Sequence, residues 1–346
     1  MSRFARVMGL VIVLCAVVGL LWRSDYSLIN GRQLPGRQVW AQSDSSSRRT
    51  EFQLLNQSVD RDRLRQHVEA LSIVRHRERD RLQARQYIVE QLQRAGWIPE
   101  EQTFDVRSAD SQIRGVNIVA TQPGRDSAED SILLGAHYDT VMGSPGADDN
   151  ASAVAVVLEV ARLLADAPST HPLTLALFDL EEAGFLGSQA FVNALGRSPD
   201  VEAAIILEMI GYACHEAGCQ TYPSILPIDP PSDTGDFLAV IGDLGHPFIV
   251  NAFRNSVSVL QEVDGVDVPD VFTLSVPTLG GLTPDLFRSD HVPFWRSGRG
   301  AVMVTDTANF RNPHYHRESD RPETLDIDFL SGSATIILET IARLIG

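Results

Sequence analysis

The sequence contains no lysine, so arginine supplies all 29 basic residues of the 346-residue chain. Schiff-base enzymes and P-loop ATPases need a lysine, and both classes are therefore excluded. Acidic residues are in excess, and the formal net charge is −16. So acidic a chain offers no basic stripe of the kind that binds nucleic acid, and we expect no nucleic-acid partner. The window Arg61 to Arg85 mixes arginine with Asp and Glu, which predicts a salt-bridged helix face.

Cysteine is scarce as well, with three residues in the chain. Cys214 and Cys219 lie in one predicted loop and are close enough in sequence to form a small disulfide in an oxidising compartment. A metal-binding pair is the alternative, although no further Cys or paired His lies nearby. The third cysteine, Cys15, belongs to an apolar run near the N-terminus.

That apolar run extends from Val7 to Trp22 and has arginine at positions 3, 6 and 23 around it. Its length falls between a signal-peptide core and the about 20 apolar residues of a membrane-spanning helix. Bulky residues stand where a cleavage site would be, which favours an uncleaved signal anchor (1–23) over a removed signal peptide. Either alternative predicts an exported protein, which is membrane-anchored with its folded domain outside the cytoplasm, or secreted or periplasmic. Residues 24–50, rich in Arg, Gln and Ser, are predicted to be a linker.

Residues 51–346 are predicted to form one α/β domain, because about 300 residues can bury a single large core. Apolar residues at helical spacing predict a helical region from Glu51 to about Gly96 and helices over Ala151–Leu164 and Ile327–Ile345. The proline-rich insert 221–283 is predicted to contain a helix from Asp233 to Leu244 and to wrap the rim of a substrate pocket.

Metal-type ligands follow three predicted strands at the point where each strand ends. His137 follows the run Ser131 to Ala136, Glu181 and Glu182 follow the run His171 to Phe178, and Glu208 follows the run Ala203 to Leu207. Ligand crevices of open α/β sheets lie at the carboxyl ends of the strands. Zinc accepts imidazole and carboxylate ligands, so the pattern predicts a metal site at this edge of the sheet.

Neighbouring residues have predicted supporting roles. Asp139 is placed to accept the spare ring hydrogen of His137, which would fix its tautomer. A glycine- and aspartate-rich turn leads into the helix that Asn150 or Ser152 would cap, and one carboxylate of the pair Asp148 and Asp149 is left over for a metal. A solvated acidic turn beside a helix terminus is the alternative.

Five stretches carry a resemblance to a known family: GAHYDTV, GADDNASAVA, FDLEEAGFLGS, SDHVPFW and NPHYHRESDRPETLD. They resemble the co-catalytic zinc aminopeptidases of metallopeptidase family twenty-eight, the bacterial leucyl aminopeptidase type, from about Gly115 to the C-terminus. The resemblance implies a three-layer α/β/α sandwich with a mostly parallel, mixed central sheet. It also implies a hydrolase that removes N-terminal residues from peptide substrates.

The resemblance further implies roles for single residues. Asp149 would bridge two Zn²⁺ ions, one completed by His137 and Glu208 and the other by Glu182 and His316. Glu181 would act as general base toward a water between the ions, Tyr315 would stabilise the oxyanion, and Asp139 would complete the catalytic set. The peptide bond between Asp149 and Asn150 would be cis. Cobalt or manganese would fit the same ligands.

Several assignments have alternatives. Many family members carry Asp where this chain has Glu208, so a shift in ligand geometry is expected there. His314 competes with His316, although the flanking Tyr315 and Asp320 favour His316. The role of Asp290 and His291 stays open, with pocket lining and structural support as the two alternatives. The remaining histidines are expected at the surface: His67, His76, His171, His215 and His246.

Two other functions on the same fold stay open. The first is a glutaminyl cyclase-like acyltransferase, and relatives of that kind use one zinc ion. The second is a binding ectodomain whose catalytic site has decayed. The complete ligand set argues against both, because it offers ligands for two ions and has lost none of them.

Overall fold

A computed structural model describes residues 58–107, 112–122, 124, 130–195, 201–224, 228–278 and 284–346. The predicted signal anchor (1–23), the linker (24–50) and the start of the predicted helical region lie outside the described residues, so the domain boundaries there stay predictions. None of the helices in these ranges is long and apolar enough to cross a membrane.

Strands and helices alternate along most of the described chain. The strands are β1 (Glu100–Arg107), β2 (Gln112–Gln122), β3 (Ser131–His137), β4 (Leu173–Phe178), β5 (Val201–Glu208), β6 (Phe237–Asp243), β7 (Asp270–Val276) and β8 (Gly300–Thr305). The helices are α1 (Arg61–Leu71), α2 (Glu78–Arg94), α3 (Ala153–Leu164), α4 (Leu186–Ala194), α5 (Pro247–Leu260), α6 (His291–Arg296) and α7 (Ile327–Ile345).

The strands form one eight-stranded sheet in the order β1-β2-β4-β3-β5-β8-β6-β7. Pairing is parallel between β4 and β3, β3 and β5, β5 and β8, and β6 and β7. It is antiparallel between β1 and β2, β2 and β4, and β8 and β6. The predicted mostly parallel, mixed sheet is therefore confirmed.

Helices cover both faces of this sheet. In β3, Leu134 packs in a core that includes α1, α2, α3, α5 and α7, whereas Leu133 packs in a second core with Phe191 of α4 and Phe294 of α6. Successive side chains of a strand point to opposite faces, so β3 needs apolar residues throughout and is buried at every position. The three-layer α/β/α arrangement is confirmed.

The register of the central strands brings their carboxyl ends level with one another. His137 of β3 pairs with Phe178 at the end of β4, and the preceding Ala136 pairs with Leu207 of β5. Glu208 in turn pairs with Thr305 at the end of β8. Residues that follow these strand ends must therefore meet at one edge of the sheet.

The start of α3 differs from the prediction. Ser152 and Asn150 do not cap the helix with their side chains; the hydroxyl of Ser152 donates instead to the carbonyl of Asp148 at 2.8 Å. The Asn150 amide donates to the carbonyl of Leu207 at 3.0 Å, and its oxygen accepts the backbone N–H of Met209 at 3.0 Å. Asn150 thus joins the turn before α3 to the end of β5.

The helix predicted over Asp233 to Leu244 is wrong, because this segment contains strand β6. Every residue of β6 is buried, and the strand pairs with β7 on one side and β8 on the other. A short continuous apolar run has the same appearance in a buried strand and a buried helix, and only the available sheet neighbours decide between them. The insert 221–283 is accordingly more regular than predicted, with two strands and α5 between them.

Candidate metal centre

Two groups of side chains converge at the carboxyl ends of β3 and β5. The first consists of His137, Asp149 and Glu208 and the second of Asp149, Glu182 and His316, and within each group the ligand atoms lie within 4.8 Å of one another. Nε2 of His137 is 3.3 Å from Oδ1 of Asp149 and 3.5 Å from Oε2 of Glu208. Nε2 of His316 is 3.2 Å from Oδ2 of Asp149 and 3.2 Å from Oε2 of Glu182. All five predicted ligands meet, and Asp149 turns one oxygen toward each imidazole.

The carboxylate of Asp320 holds the turn that carries Asp149 through two hydrogen bonds. The backbone N–H groups of Asp148 and Asp149 donate to the two carboxylate oxygens of Asp320 at 2.9 and 3.2 Å. The peptide bond between Asp149 and Asn150 is cis, as the resemblance implied. Asp320 comes from a segment distant in sequence, so this turn is shaped by the folded molecule rather than by local propensity.

Asp139 lies behind His137, where it was predicted. One of its carboxylate oxygens is 3.5 Å from Nδ1 of His137. The same carboxylate accepts the backbone N–H groups of Glu181 at 3.0 Å and Glu182 at 3.2 Å. Asp139 therefore lies beside the imidazole on β3 and shapes the turn after β4 that presents both glutamates.

Glu208 is oriented by the SDHVPFW stretch. The hydroxyl of Ser289 donates to Oε2 of Glu208 at 2.6 Å. Asp290 accepts a hydrogen bond from Ser188, and a ring nitrogen of His291 lies 2.9 Å from the carbonyl of Leu286. Asp290 and His291 are both fully buried and belong to neither ligand group, which favours the structural alternative for this pair.

The centre brings several acidic side chains together, most of them buried or nearly so. Burial raises the pKa of Glu181 well above its usual value and that of Glu182 to about 7. Burial alone would lower the pKa of both imidazoles, but the surrounding carboxylates raise that of His137 well above its usual range and that of His316 to about 10. Buried charge of one sign is costly unless a partner of opposite sign accompanies it.

The buried polar atoms fit a metal ion as that partner. Both ring nitrogens of His137 and Oε1 of Glu182 are buried and form no hydrogen bond with any residue that the structure describes. Buried polar atoms in proteins are almost always paired, so such exceptions need a cause. An imidazole nitrogen facing two carboxylates would be satisfied by a cation between them, and imidazole with carboxylate is a donor set that suits zinc.

Glu181 and Tyr315 lie beside the ligands without belonging to either group. Oε2 of Glu181 is 4.0 Å from Nε2 of His137. The ring of Tyr315 stacks on that of His316 with centroids 3.7 Å apart, and its hydroxyl oxygen accepts a hydrogen bond from Arg288 at 3.1 Å. Because the phenol oxygen accepts from Arg288, its own hydrogen is available to donate to a substrate.

A cavity of about 120 Å³ opens beside Glu208 and Tyr315. Its wall is mostly apolar, with Phe237, Phe272 and Met303 among the lining residues. Phe237 and Phe272 belong to the insert 221–283, so the insert contributes to the cavity through its strands. A predicted ligand, Glu208, and a predicted catalytic residue, Tyr315, thus both border this apolar space.

The cysteines of the neighbouring loop form a disulfide. Cys214 and Cys219 are bonded, with Cα atoms 6.3 Å apart. The loop continues directly into Gln220 and Tyr222, which line the cavity. A metal-binding role for the two cysteines is therefore wrong.

Two predictions about histidines had different outcomes: the one for His67 is wrong, and the preference for His316 over His314 agrees with the structure. His67, expected at the surface, is only 4% exposed and bonds with its Nδ1 to the hydroxyl of Tyr87 at 2.8 Å. It lies on the inner face of α1, where the helical spacing of Leu64 and Val68 also places it. His314 lies outside both ligand groups, and its Nδ1 is 2.9 Å from the hydroxyl of Ser319.

Three arginines of the first two helices and their connection are buried, which was not predicted. Arg75, Arg81 and Arg85 are each 5% exposed or less, and the prediction for the window containing them was a salt-bridged helix face. Arg81 pairs with the fully buried Asp179 at 2.8 Å, directly after β4. Within the window, Glu78 pairs with Arg81 at 2.8 Å and with Arg85 at 3.4 Å, which agrees with a salt-bridged face. Their other charged partners, Asp179 and Glu101, lie outside the window, so charge alternation within it could not reveal their burial.

Comparison with known proteins supports the resemblance. The family description "Peptidase family M28" matches residues 117–228. The uncharacterized protein YfbL of Escherichia coli is 35% identical over 235 residues, which cover 64% of this chain and 69% of that protein. Aminopeptidase YwaD of Bacillus subtilis is 28% identical over 253 residues, which cover 70% of this chain but 47% of the relative. The chain thus spans about half the length of that aminopeptidase.

Solved structures share the fold. An aminopeptidase from Aneurinibacillus sp. strain AM-1 superposes with a TM-score of 0.63 at 17% identity, covering 85% of this chain and 95% of that one. A glutaminyl cyclase of Porphyromonas gingivalis does so with a TM-score of 0.57 at 20% identity, covering 83% and 99%. At these identities the superpositions establish the fold alone. Together with the matched family segment and the similarity to YfbL, they show that the chain belongs to peptidase family M28.

Proposed function

We propose that the protein is a zinc-dependent aminopeptidase that hydrolyses N-terminal residues from peptides. The observation that carries the proposal is the position of Asp149, whose two oxygens each face a different imidazole. Each imidazole has a second carboxylate beside it, Glu208 in one group and Glu182 in the other. Two adjoining cation sites that share one ligand are typical of hydrolases with paired metal ions, including aminopeptidases.

The surrounding residues have roles that suit hydrolysis. Two zinc ions, when bound, would polarise the scissile carbonyl and increase the acidity of a water molecule. Glu181, which lies at the edge of the centre without belonging to a ligand group, would accept the proton of the attacking water and pass it to the leaving amine. Tyr315 would donate its phenolic hydrogen to the developing oxyanion, held in place by Arg288.

The apolar cavity would accept the side chain of the N-terminal residue. Its volume of about 120 Å³ is similar to that of an engineered apolar cavity, roughly 150 Å³, that admits benzene. One bulky apolar side chain therefore fits it. A charged side chain would lose hydration against this mostly apolar wall, whose charged lining residues are Glu208, Asp285 and Arg288, so such residues should be cleaved less well than apolar ones.

The test uses the full-length protein loaded with zinc and assayed on peptides that begin with leucine, aspartate or glutamine. We expect release of the N-terminal leucine, loss of activity on chelation, and a decrease of about 10²- to 10⁴-fold in Glu181→Gln with zinc content unchanged. The exposed Glu90, which pairs with Arg94, supplies the control variant Glu90→Gln. A cyclised product from the glutamine peptide, or full turnover by Glu181→Gln, would contradict the proposal.

We further propose that the protein is exported. The Cys214–Cys219 disulfide supports this, because disulfides persist in oxidising compartments. The apolar sequence from Val7 to Trp22 supports it as well. Cell fractionation is expected to recover the protein in the membrane fraction at full mass if the anchor is uncleaved, or in the periplasm or medium at reduced mass if it is removed. Recovery in the cytoplasm with reduced cysteines would contradict export.

A further inference from the structure

We propose that Arg75 is a positioning residue for the metal centre, whose buried side chain fixes the two turns that carry His137 and Asp149. The inference rests on the proposed zinc site. It adds a residue that belongs to neither ligand group and that lies in the segment between α1 and α2, far from the strand ends in sequence.

The hydrogen bonds of Arg75 reach both ligand-bearing turns. Its Nε donates to the carbonyl of Tyr138 at 2.7 Å, immediately after His137. Its Nη1 and Nη2 donate to the carbonyls of Pro145 and Gly146 at 2.8 and 2.9 Å, in the turn that leads to Asp149. One guanidinium therefore joins the end of β3 to the turn before α3.

The same side chain is anchored at its own end. Nη1 also faces the carbonyls of Leu71 and Ile73, at the end of α1 and just beyond it, so its two hydrogens are shared among three carbonyl oxygens. The backbone N–H of Arg75 donates to the hydroxyl of Thr140 at 2.9 Å. With 1% of its surface exposed, Arg75 is among the largest fully buried side chains of the described residues. It can move only if the two turns move with it.

All of these side-chain acceptors are neutral carbonyl oxygens, which is unusual for a buried cation. Burial lowers the pKa of Arg75 to about 10, and the charges of Asp149, Asp320, Asp139 and Glu182 act against this decrease. A buried charge without a carboxylate in contact is costly. Several hydrogen bonds and the negative charge of the nearby acidic centre offset this cost. A buried cation at this position is therefore stabilised by that centre.

The geometry of the site requires a guanidinium. Arginine offers five donors in a rigid planar fork, whereas lysine offers three donors at one point and cannot reach acceptors on opposite sides. The turn is fitted closely around it: a Cβ added at Gly146 would lie 2.8 Å from Nη2 of Arg75. Replacement by lysine should leave the protein charged and folded but release at least one turn.

A positioning role and a purely electrostatic role predict opposite effects on zinc binding. A positive charge near the centre repels a metal cation, so removing the charge alone would strengthen zinc binding. Removing hydrogen bonds that hold His137 and Asp149 would weaken it. Residues that orient metal ligands typically change metal affinity by about 10- to 100-fold.

The experiment measures the zinc affinity of the full-length protein by competition with a chromophoric chelator. We expect Arg75→Lys and Arg75→Met to bind zinc about 10- to 100-fold more weakly than the unchanged protein. We also expect the visible spectrum of the Co²⁺-loaded protein to change, because the ligand geometry is altered. The control is Leu92→Ala, a fully buried residue of α2 that belongs to neither turn and whose truncation destabilises the core.

Unchanged or stronger zinc binding by folded Arg75→Lys would overturn the inference. So would an equal loss of affinity in Leu92→Ala, since the effect would then follow stability alone. If Arg75→Met does not fold, Arg75→Lys carries the test because it keeps the charge and part of the hydrogen bonding. Absence of zinc binding by the unchanged protein would instead overturn the proposed function, so the two failures are distinguishable.

Discussion

At the scale of single residues, Tyr315 allows a test of the proposed chemistry in which no metal ligand is replaced. Tyr315→Phe keeps the ring that stacks on His316 and removes only the hydroxyl. We expect kcat to decrease by about 10²- to 10³-fold, as for the loss of one oxyanion donor, while zinc content stays constant. Steady-state kinetics with metal analysis measure this. In the control Tyr222→Phe, which removes a hydroxyl bonded to the Ser232 carbonyl in the cavity wall, kcat should be retained.

His67 gives a prediction for pH. Burial and the nearby Arg63 lower the pKa of His67 from 6.5 to about 4. The unfolded chain therefore binds a proton below about pH 6.5, whereas the folded protein binds it only below about pH 4. The free energy of unfolding consequently decreases as the pH is lowered from about 6.5 to about 4. His67→Gln should remove roughly 2 to 3 kcal/mol of that decrease.

Urea denaturation measures the free energy of unfolding at pH 7 and pH 4.5. The effect of His67 is the difference in pH dependence between the unchanged protein and His67→Gln. The exposed His76 supplies the control His76→Gln, whose pH dependence should match that of the unchanged protein. If His67→Gln loses as much stability on acidification as the unchanged protein does, the buried neutral imidazole is not responsible.

The ligand residues and Asp139 could be predicted from the sequence, whereas the residues that position the ligands from distant segments could not. His137, Glu182 and Glu208 were recognisable because each follows an apolar run, which is a local pattern. Ser289, by contrast, contacts Glu208 across 81 residues of sequence. Arg75 reaches Gly146 across 71 residues. Such contacts form only after folding, so no local sequence pattern predicts them.

At the scale of secondary-structure elements, α2 fixes the end of β4 through the buried pair of Arg81 and Asp179. Arg81→Met would leave the fully buried Asp179 without its cation, and we expect a loss of about 3 to 5 kcal/mol in the free energy of unfolding. Chemical denaturation measures the change. The control is Arg79→Met, two residues away: its side chain is exposed where it pairs with Asp80, and little change is expected. Similar losses in both variants would mean that the ion pair is not the cause.

The elements also show where sequence patterns are ambiguous. β3, β4 and β5 were predicted because strands buried on both faces are continuous apolar runs bounded by turns. β6 has the same character and was predicted as helix, because nothing in its own residues distinguishes the two states. What decides is the presence of β7 and β8 as partners, and that is a property of the assembled sheet.

At the scale of the whole molecule, zinc should stabilise the fold. The ligands lie on separate segments, so the unfolded chain cannot gather them, and zinc binds the folded state preferentially. At a zinc concentration about 100 times the dissociation constant, the gain is about 2.7 kcal/mol. Thermal denaturation with and without a chelator should show a rise in Tm with zinc.

Asp149 should control most of this stabilisation, because it belongs to both ligand groups. Asp149→Asn is expected to abolish most of the zinc-dependent rise in Tm. Asp166→Asn, at an exposed position after α3, should keep the whole rise. A full zinc effect in Asp149→Asn would contradict the shared-ligand arrangement.

The spread of the ligands along the chain has a consequence for synthesis. The earliest ligand is His137 and the latest is His316, which follows β8 and precedes α7. While translation is under way, a polypeptide that has not yet been extended past His316 lacks the second imidazole, so it cannot hold the full complement of metal. The proposed proteolytic activity would therefore be absent from such nascent chains, and newly made neighbours would not be exposed to it at that stage.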